Sequence, residues 1–372
     1  MNEKNVWYKL TPVDAWFFRD DRPYNGSEYQ SGISTIFPPY APTVVGAVRA
    51  ALARENGWSG RGDWSDDLKT VLGDGFNDLG KLHFTGPFLC YREELLFTVP
   101  ANLFGEMVEG SFTPRKWITP SSNQVFSDMG ASANLPESTH NSRFKLSSGE
   151  DFFVTESGLL GILRGEFPSK ESFHKKSQVI SLESRIGLER EKATRLAVKG
   201  ALYSPEYIRM HKHYSLVIGV RGLPSDWSLP SLFPLGGESR MTDCVRFNYT
   251  SLLDDSSVTE ADMLHLVTPA CFDRETWWGV DPGGSANALE SRLRGEVSSI
   301  CLDRYIKIGG WDSRINSPVE SKPFIRPGAV WWLSERQEIP RVMSFGIRKE
   351  YGFGLILAGS QPRNMNCEDG EK

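Results

Sequence analysis

The residues best suited to chemistry lie in one glycine-rich segment, FGIRKEYGFG at residues 345–354. Its three glycines, which include Gly352 and Gly354, permit positive backbone dihedrals and the close approach of another backbone. Arg348 and Lys349 supply the positive charge that binds phosphate. The segment therefore has the composition of a loop that holds a phosphate-rich polymer. A tight turn with solvated charges is the alternative.

The aromatic residues of this segment also allow two interpretations. Tyr351 and Phe353 are able to stack on nucleobases or to pack below the loop. The apolar run at residues 355–359 follows directly and predicts a terminal strand. A basic, glycine-bearing turn that leads into a strand suits RNA binding on a sheet protein.

A second basic region spans residues 170–199. Its cations are Lys170, Lys175, Lys176, Arg185, Arg190, Lys192, Arg195 and Lys199. Its acids are Glu171, Glu183, Glu189 and Glu191. Eight cations against four acids leave a local surplus of positive charge, which phosphate contacts require. A solvated face of mixed charge would have the same composition, so this alternative stays open.

Arginines near the N-terminus are weaker RNA-binding candidates. Arg19 and Arg22 lie in a polar turn after the first predicted strand, and Arg49 and Arg54 lie on the first predicted helix.

Sequence signatures of common enzymes are absent. The glycines at residues 352–354 precede a strand rather than a helix, which argues against a dinucleotide site, and no P-loop, HExxH or GxSxG sequence occurs. His211 and His213 would share one face of a strand, but no third metal ligand lies near them in the sequence. The isolated histidines are His83, His140, His174 and His265. We therefore predict no catalytic residue, no metal and no cofactor.

Composition places this chemistry in a globular protein. The 372 residues carry a net charge of −5, so nucleic acid must meet a local basic surface while the acidic remainder faces a protein neighbour. The five cysteines form no CxxC pair, which indicates a reduced compartment. Because no run of about 18 apolar residues and no signal-peptide core occur, we expect a cytoplasmic protein with no membrane contact.

The predicted elements that position these residues are mostly strands, with few helices. Residues 44–55 predict a helix with Thr43 as its N-cap. Strands are predicted at residues 6–18, 81–88, 94–99, 152–164, 214–221, 244–249, 263–270, 296–308, 329–333 and 355–358. Residues 103–149 are polar and predict a loop-like insertion.

The order of these elements repeats coarsely. Each half opens with an apolar strand and closes with a glycine-bearing turn, at residues 236–237 in the first half and 352–354 in the second. Two tandem ferredoxin-like (RRM-like) βαββαβ domains would produce this order. The predicted fold is therefore α+β, with domains at residues 1–252 and 253–372.

Several short sequences together resemble a known family. They are LTPVDAWFFRDDRP at residues 10–23, FPPYAPTVVGAVR at 37–49, RIGL at 185–188, GALY at 200–203, LGGESR at 235–240, GGWD at 309–312 and GFG at 352–354. In this order they resemble the third Cmr subunit of type III-B CRISPR effector complexes, a Cas5-like member of the RAMP superfamily. The resemblance extends from about residue 6 to residue 359.

This resemblance implies a non-catalytic, RNA-binding role in antiviral defence. The family subunit holds the 5′ handle of the CRISPR RNA and bridges the large polymerase/cyclase-like subunit to the backbone subunits. A β-hairpin thumb of its first domain inserts near the guide–target RNA duplex, and residues 170–199 belong to or flank that thumb by position. The motif at residues 236–240 carries Glu238, unlike the richer loops of the superfamily, so the second loop is the stronger candidate.

Two other function classes stay open. Some relatives on this fold are metal-independent endoribonucleases that process precursor CRISPR RNA, which would require one of the isolated histidines as a general base. A protein–protein module without RNA contact is the third class.

Overall fold

The computed structural model describes residues 4–19, 35–126, 132–138, 145–191, 193–250, 252–273, 278–280, 283–312 and 314–361. The helices in these ranges are α1 (Ala41–Glu55), α2 (Asp66–Leu72), α3 (Glu156–Leu163) and α4 (Lys176–Val179). The strands are β1 (Val6–Pro12), β2 (His83–Tyr91), β3 (Glu94–Thr98), β4 (Leu103–Val108), β5 (Ser111–Phe126), β6 (Ser132–Ser138), β7 (Ser147–Ser148), β8 (Phe152–Thr155), β9 (Phe173–Lys175), β10 (Ile180–Ser184), β11 (Gly187–Arg190), β12 (Ala197–Tyr203), β13 (Glu206–Met210), β14 (Tyr214–Arg221), β15 (Leu232–Pro234), β16 (Met241–Phe247), β17 (Val258–Leu266), β18 (Val297–Cys301), β19 (Ile306–Asp312), β20 (Ser317–Phe324), β21 (Val330–Pro340), β22 (Val342–Ser344) and β23 (Leu355–Gly359). The fold is mixed α+β and rich in strands, as predicted.

Helix α1 is the helix expected at residues 44–55, but it begins earlier. Its N-cap is Tyr40, and Thr43 already lies within the first turn, so the predicted cap was wrong. Pro42 fits this first turn because the N–H groups there have no partner within the helix. Val44 and Val48 are fully buried against the first sheet.

The first large sheet is antiparallel and has the order β15-β16-β1-β14-β2-β3-β8-β9. Side chains alternate between its two faces, as strand geometry requires. On β1, Tyr8 and Leu10 face α1, whereas Trp7 belongs to a different buried cluster on the opposite face.

The second large sheet has the order β18-β21-β17-β23-β22 and lies against the first. One buried cluster contains Trp7 and Val217 of the first sheet together with Met263, Trp332 and Leu357 of the second. No α-helix occurs between β17 and β23 among the residues that the structure describes, which leaves fewer helices than two complete βαββαβ units would have. The two halves thus share a core, and the predicted boundary at residues 252–253 stays a prediction.

The segment at residues 103–149 differs from the expected loop. Its described part forms a sheet of order β6-β5-β4-β7, anchored by the buried side chains of Leu103 and Phe112. The run at residues 152–164 also differs, because Thr155 accepts a hydrogen bond from the Gly158 N–H and so caps a helix where a strand was expected.

Two hairpins stand apart from the large sheets. Strands β11 and β12 pair within the segment where a thumb was expected, and β19 pairs with β20 in the second half. Among the helices that the structure describes, none is both long and apolar enough to cross a membrane.

Candidate nucleic-acid interface

Residues 345–354, here called the glycine loop, have the backbone that the sequence predicted. Gly346, Gly352 and Gly354 have φ values of +74°, +86° and +70°. A Cβ on Gly354 would lie 1.9 Å from the Phe345 carbonyl oxygen. A Cβ on Gly352 would lie 2.9 Å from the carbonyl oxygen of Gly86 on β2. These glycines therefore let the loop fold tightly and rest on the first sheet.

The aromatic residues of the glycine loop are buried, so they pack below it and do not stack on bases. Tyr351 and Phe353 are 2% and 1% exposed. The Tyr351 hydroxyl donates to the Phe76 carbonyl at 2.5 Å, and the two rings are 5.3 Å apart. Burial raises the pKa of Tyr351 to about 12, which keeps this hydroxyl a donor at neutral pH.

The cations of the glycine loop lie at its edge. Arg348 has φ +58°, in the left-handed region, and its guanidinium carbon is 4.8 Å from the centroid of the Phe76 ring. Lys349 is exposed, with its Nζ 3.8 Å from a carboxylate oxygen of Glu290. The Glu290 side chain is only 13% exposed, so phosphate would have to compete with this carboxylate for Lys349.

A cleft of about 210 Å³ opens beside this loop. Its walls come from α1, the turns at residues 58–64 and 74–76, the β19–β20 hairpin and Tyr351. Trp311 lines it and is 57% exposed. Because small-molecule sites usually measure roughly 300–1,000 Å³, this volume suits a single ring system better than a whole cofactor.

Charge in the cleft is mixed. The Lys69 ammonium and the Arg314 guanidinium both approach Asp74, at 3.5 and 3.1 Å. Asp63 and Asp312 also line the cleft. This balance favours an uncharged ring inside the cleft and phosphate at its cationic edge.

Arg49 also lines the cleft, but three of its five N–H donors are already used. It is 6% exposed, and its guanidinium donates to the carbonyls of Leu72, Gly75 and Asp78 at 2.8, 2.8 and 2.9 Å. Burial lowers the pKa of this guanidinium. In this structure Arg49 mainly supports the cleft wall, because three backbone carbonyls hold its guanidinium.

The first glycine motif, residues 236–240, lies beside a network of ion pairs. Arg185 donates to Asp14 at 2.9 Å and to Glu183 at 2.8 Å. Arg240 lies 3.2 Å from Glu238, whose carboxylate also accepts from Tyr207. The hydrogen bond from Arg185 holds the pKa of Asp14 below its usual range. The candidate Arg185 is therefore neutralised by the chain itself.

The remaining predicted cations are dispersed. Lys175 ends β9, exposed Lys176 opens α4, and exposed Arg190 ends β11. Arg19 is exposed and forms a β-bridge with Thr35. Arg22 lies outside the described residues. Among the candidates that the structure describes, it thus brings the glycine-loop residues close to Arg49.

The paired histidines do not occupy a strand. His211 and His213 lie in the turn between β13 and β14, so the expected shared strand face was wrong. Within the described residues, no three His, Cys, Asp or Glu side chains are placed to hold a metal ion. His265 is completely buried on β17.

Comparison of the sequence with known protein families identifies one match. The sequence profile of the CRISPR-associated protein family Cas_Cmr3 matches residues 8–361. The chain belongs to the Cas_Cmr3 family. This match confirms the resemblance inferred from the ordered motifs and includes the glycine loop, the cleft and the first glycine motif.

Solved structures resemble this Cas_Cmr3 family chain more distantly. One is "Type III-B Cmr-beta bound to cognate target RNA and AMPPnP, state 1", with 17% identity, a TM-score of 0.47, and coverage of 88% of this chain and 86% of that chain. Another is "Csm3-Csm4 subcomplex in the type III-A CRISPR-Cas interference complex", with 11% identity, a TM-score of 0.40, and coverage of 95% and 99%. No curated protein matches the chain.

Sequence reasoning missed part of the cleft of this Cas_Cmr3 family chain. Trp311, Arg314 and Lys69 were not among the candidates. A tryptophan in the motif GGWD was the available signal, but its exposure depends on the way the hairpin leaves the sheet. Gly310 allows that arrangement, since a Cβ there would lie 2.7 Å from the Phe76 ring.

Proposed function

We propose that this Cas_Cmr3 family chain is a non-catalytic RNA-binding subunit of a type III-B CRISPR effector complex. It holds the 5′ handle of the CRISPR RNA and bridges the large polymerase/cyclase-like subunit to the backbone subunits, in antiviral defence. The net charge of −5 supports this role, because an acidic chain with a local RNA site leaves acidic surface for protein partners.

One observation carries the proposal: the glycine loop closes against α1 and forms a cleft with an exposed tryptophan wall and cations at its edge. A single-stranded handle is held by cations on its phosphates and by stacking of its bases. Trp311 offers the stacking surface. Arg348 packs on the cleft residue Phe76 and supplies charge beside the cleft. Arg314 also lines the cleft, but its guanidinium lies 3.1 Å from Asp74.

The strand orders support two ferredoxin-like units. In the first half the order β16-β1-β14-β2 places the fourth, first, third and second strands of a unit side by side. In the second half β23-β17-β21-β18 repeats this order. We infer that both halves are ferredoxin-like units, of which the first retains one helix of the pair, namely α1.

The β11–β12 hairpin is the proposed thumb near the target RNA. Exposed apolar residues flank it, with Ile186 at 78% and Leu196 at 68% exposure. Arg190 adds an exposed cation. Leu196 and Arg190 lie at the tip of the hairpin, whereas Ile186 lies at its base. An apolar side chain and a cation at the tip suit insertion beside a nucleic-acid duplex.

The test uses the full-length chain and RNA that carries the 5′ handle. The loop variant combines Arg348→Ala with Lys349→Ala, which removes charge without touching the buried aromatic residues. We expect weaker binding and a salt slope reduced by about 0.7 for each phosphate that the variant no longer neutralises. The measurement is the dissociation constant by fluorescence anisotropy at several salt concentrations.

The control is Arg115→Ala combined with Arg164→Ala, which removes the same charge at exposed sites elsewhere. This variant should bind the handle RNA like the wild type. Equal salt slopes for the wild type and the loop variant would contradict the proposed site.

A further inference from the structure

Four aromatic rings meet at the end of the first sheet that lies away from the glycine loop. The Tyr91 ring centroid is 4.7 Å from that of His174, 4.9 Å from that of Tyr214 and 6.5 Å from that of His213. His174 Nδ1 and the Tyr214 hydroxyl are hydrogen-bonded at 2.8 Å. The function proposed above uses none of these rings.

Two turns and the short helix α4 build this cluster. Tyr91 ends β2 and pairs with Tyr214 at the start of β14. The Arg92 N–H donates to the His213 carbonyl at 2.7 Å, which joins the β2–β3 turn to the β13–β14 turn. His211 Nδ1 lies 3.0 Å from the Gln178 carbonyl, which ties the same turn to α4.

Exposed cations surround the rings. Arg92 and Lys212 lie in the two joined turns, and Lys176 opens α4. Within the described part of the chain, none of the three has a carboxylate within 4.0 Å, whereas Arg185 has two. Lys175 is not counted, because neighbouring residues of a strand point to opposite faces and His174 faces the rings.

Acidic residues also lie nearby. Glu93 and Glu94 lie in the same β2–β3 segment, and Glu94 accepts a hydrogen bond from the Ser157 N–H at 2.8 Å. The carbonyl of exposed Asp151 accepts from the Lys176 N–H at 2.8 Å. The surface therefore combines exposed cations that have no carboxylate partner with half-buried and exposed rings. We call Tyr91, Arg92, His174, Lys176, Lys212, His213 and Tyr214 the tyrosine–histidine patch.

This patch is separate from the cleft. The glycine loop touches β2 at Gly86, five residues before Tyr91. At the rise of an extended strand this corresponds to roughly 17 Å. No wall of the cleft comes from a patch residue.

We propose that the tyrosine–histidine patch is a second binding surface for single-stranded RNA. The exposed ring of His213 stacks on a base, and Arg92, Lys176 and Lys212 contact phosphates. Tyr91 supports this surface, because the Arg92 guanidinium carbon lies 5.3 Å from its ring centroid. This inference rests on the proposed function, since it extends the RNA path of a chain already argued to hold RNA.

The chemistry favours RNA over an acidic protein segment. The carboxylates of an acidic peptide would be bound by the cations alone, and the aromatic rings would have no role. Rings grouped among unpaired cations are instead the combination that holds single strands, because every base has a face that stacks and every linkage carries a charge. An acidic protein partner is therefore an outcome that the test must separate.

The test uses the full-length chain and single-stranded RNA in a short and a longer form. The patch variant combines Arg92→Ala, Lys176→Ala and Lys212→Ala, and a second variant is His213→Ala. We expect the patch variant to bind the longer RNA at least about threefold more weakly, with a salt slope lower by about 0.7 for each phosphate no longer neutralised. Ultraviolet crosslinking of the wild type should label peptides that contain Tyr91 or His213.

Comparison with the loop variant separates the two proposals. If the loop variant loses affinity while the patch variant and the crosslinks show no effect, the patch proposal is wrong and the proposed function stands. If only the patch variant loses affinity, the handle site fails and the patch stands. If the patch variant binds RNA normally but loses a protein from the assembled complex, the patch is a protein interface and the RNA proposal is overturned.

Discussion

Trp311 is the exposed side chain that gives the cleft its proposed specificity for a ring. It lies on β19, is 57% exposed, and faces walls that include Trp58 and Trp64. Those two rings are 6.1 Å apart at nearly a right angle, and Arg49 and Arg54 pack on them. The far wall is therefore fixed by its own contacts, while Trp311 is open to a ligand.

We expect Trp311→Ala to weaken binding of the handle RNA by roughly 5- to 150-fold, because a stacked base contributes about 1–3 kcal/mol. The melting temperature should stay unchanged, since the side chain is largely in solvent. Trp311→Phe should restore part of the affinity. Tyr305→Ala, another exposed aromatic near the same hairpin, is the matched control, and an equal loss there would argue against a specific role for Trp311.

His265 makes a residue-scale prediction about stability. Neither of its ring nitrogens has a hydrogen-bond partner within the described residues, and burial lowers its pKa to about 3. In the unfolded chain the pKa is near 6.5, so the unfolded state binds the proton more tightly. The contribution of the neutral His265 to the free energy of unfolding is therefore complete above about pH 6.5 and is lost as the pH falls towards 3.

Lowering the pH from 7 to 5 should reduce the free energy of unfolding by about 2 kcal/mol because of this histidine. His265→Leu removes the titrating group, and its stability should fall by that much less over the same interval. Urea unfolding at the two pH values measures the difference. Parallel pH profiles would show that His265 is not buried as described.

At the scale of elements, the glycine loop and α1 make opposite demands on glycine. Gly354→Ala places a Cβ against the Phe345 carbonyl oxygen at a positive φ. We expect the free energy of unfolding to fall by at least about 3 kcal/mol. Gly46→Ala on α1 has no atom within 4 Å of its new Cβ and should stabilise by up to about 1 kcal/mol. Thermal unfolding of both variants measures the contrast, and a tolerated Gly354→Ala would refute the described loop.

Elements were predictable where local patterns decide them. The composition and flanking prolines of α1 identified it, and three glycines before an apolar run identified the loop and β23. Residues 152–164 hold two short apolar runs, FFV and LLGIL, on either side of TESG at residues 155–158. Periodicity cannot distinguish a strand from a helix over runs this short, so the cap at Thr155 was overlooked. The strands within residues 103–149 are largely polar and depend on pairing with each other.

The site itself was predictable only in part. Arg348 and Lys349 were found because charge beside glycine is visible in sequence. The sequence made Arg49 a weaker RNA-binding candidate. Its backbone carbonyl partners could not be predicted, because they lie in a turn that no residue type identifies. The cleft depends on Tyr351 reaching Phe76, a contact that arises only from the tertiary fold.

For the whole molecule, we expect binding without cleavage. His174 shares a hydrogen bond with Tyr214, and His265 is buried, so neither is presented to the cleft. Purified protein incubated with a repeat-containing precursor RNA should yield no defined product on a denaturing gel. Discrete products that disappear when a single histidine is changed to alanine would instead establish the endoribonuclease alternative.

The contact between Tyr351 and Phe76 joins positions 275 residues apart. During translation, α1 and β2 leave the ribosome long before the segment that closes the cleft over them. A nascent or prematurely terminated chain would expose the unfilled wall of α1 yet lack the loop that is proposed to hold RNA. If the proposed function holds, RNA binding would select for chains whose synthesis has passed Gly354, and stalled chains would be left without RNA.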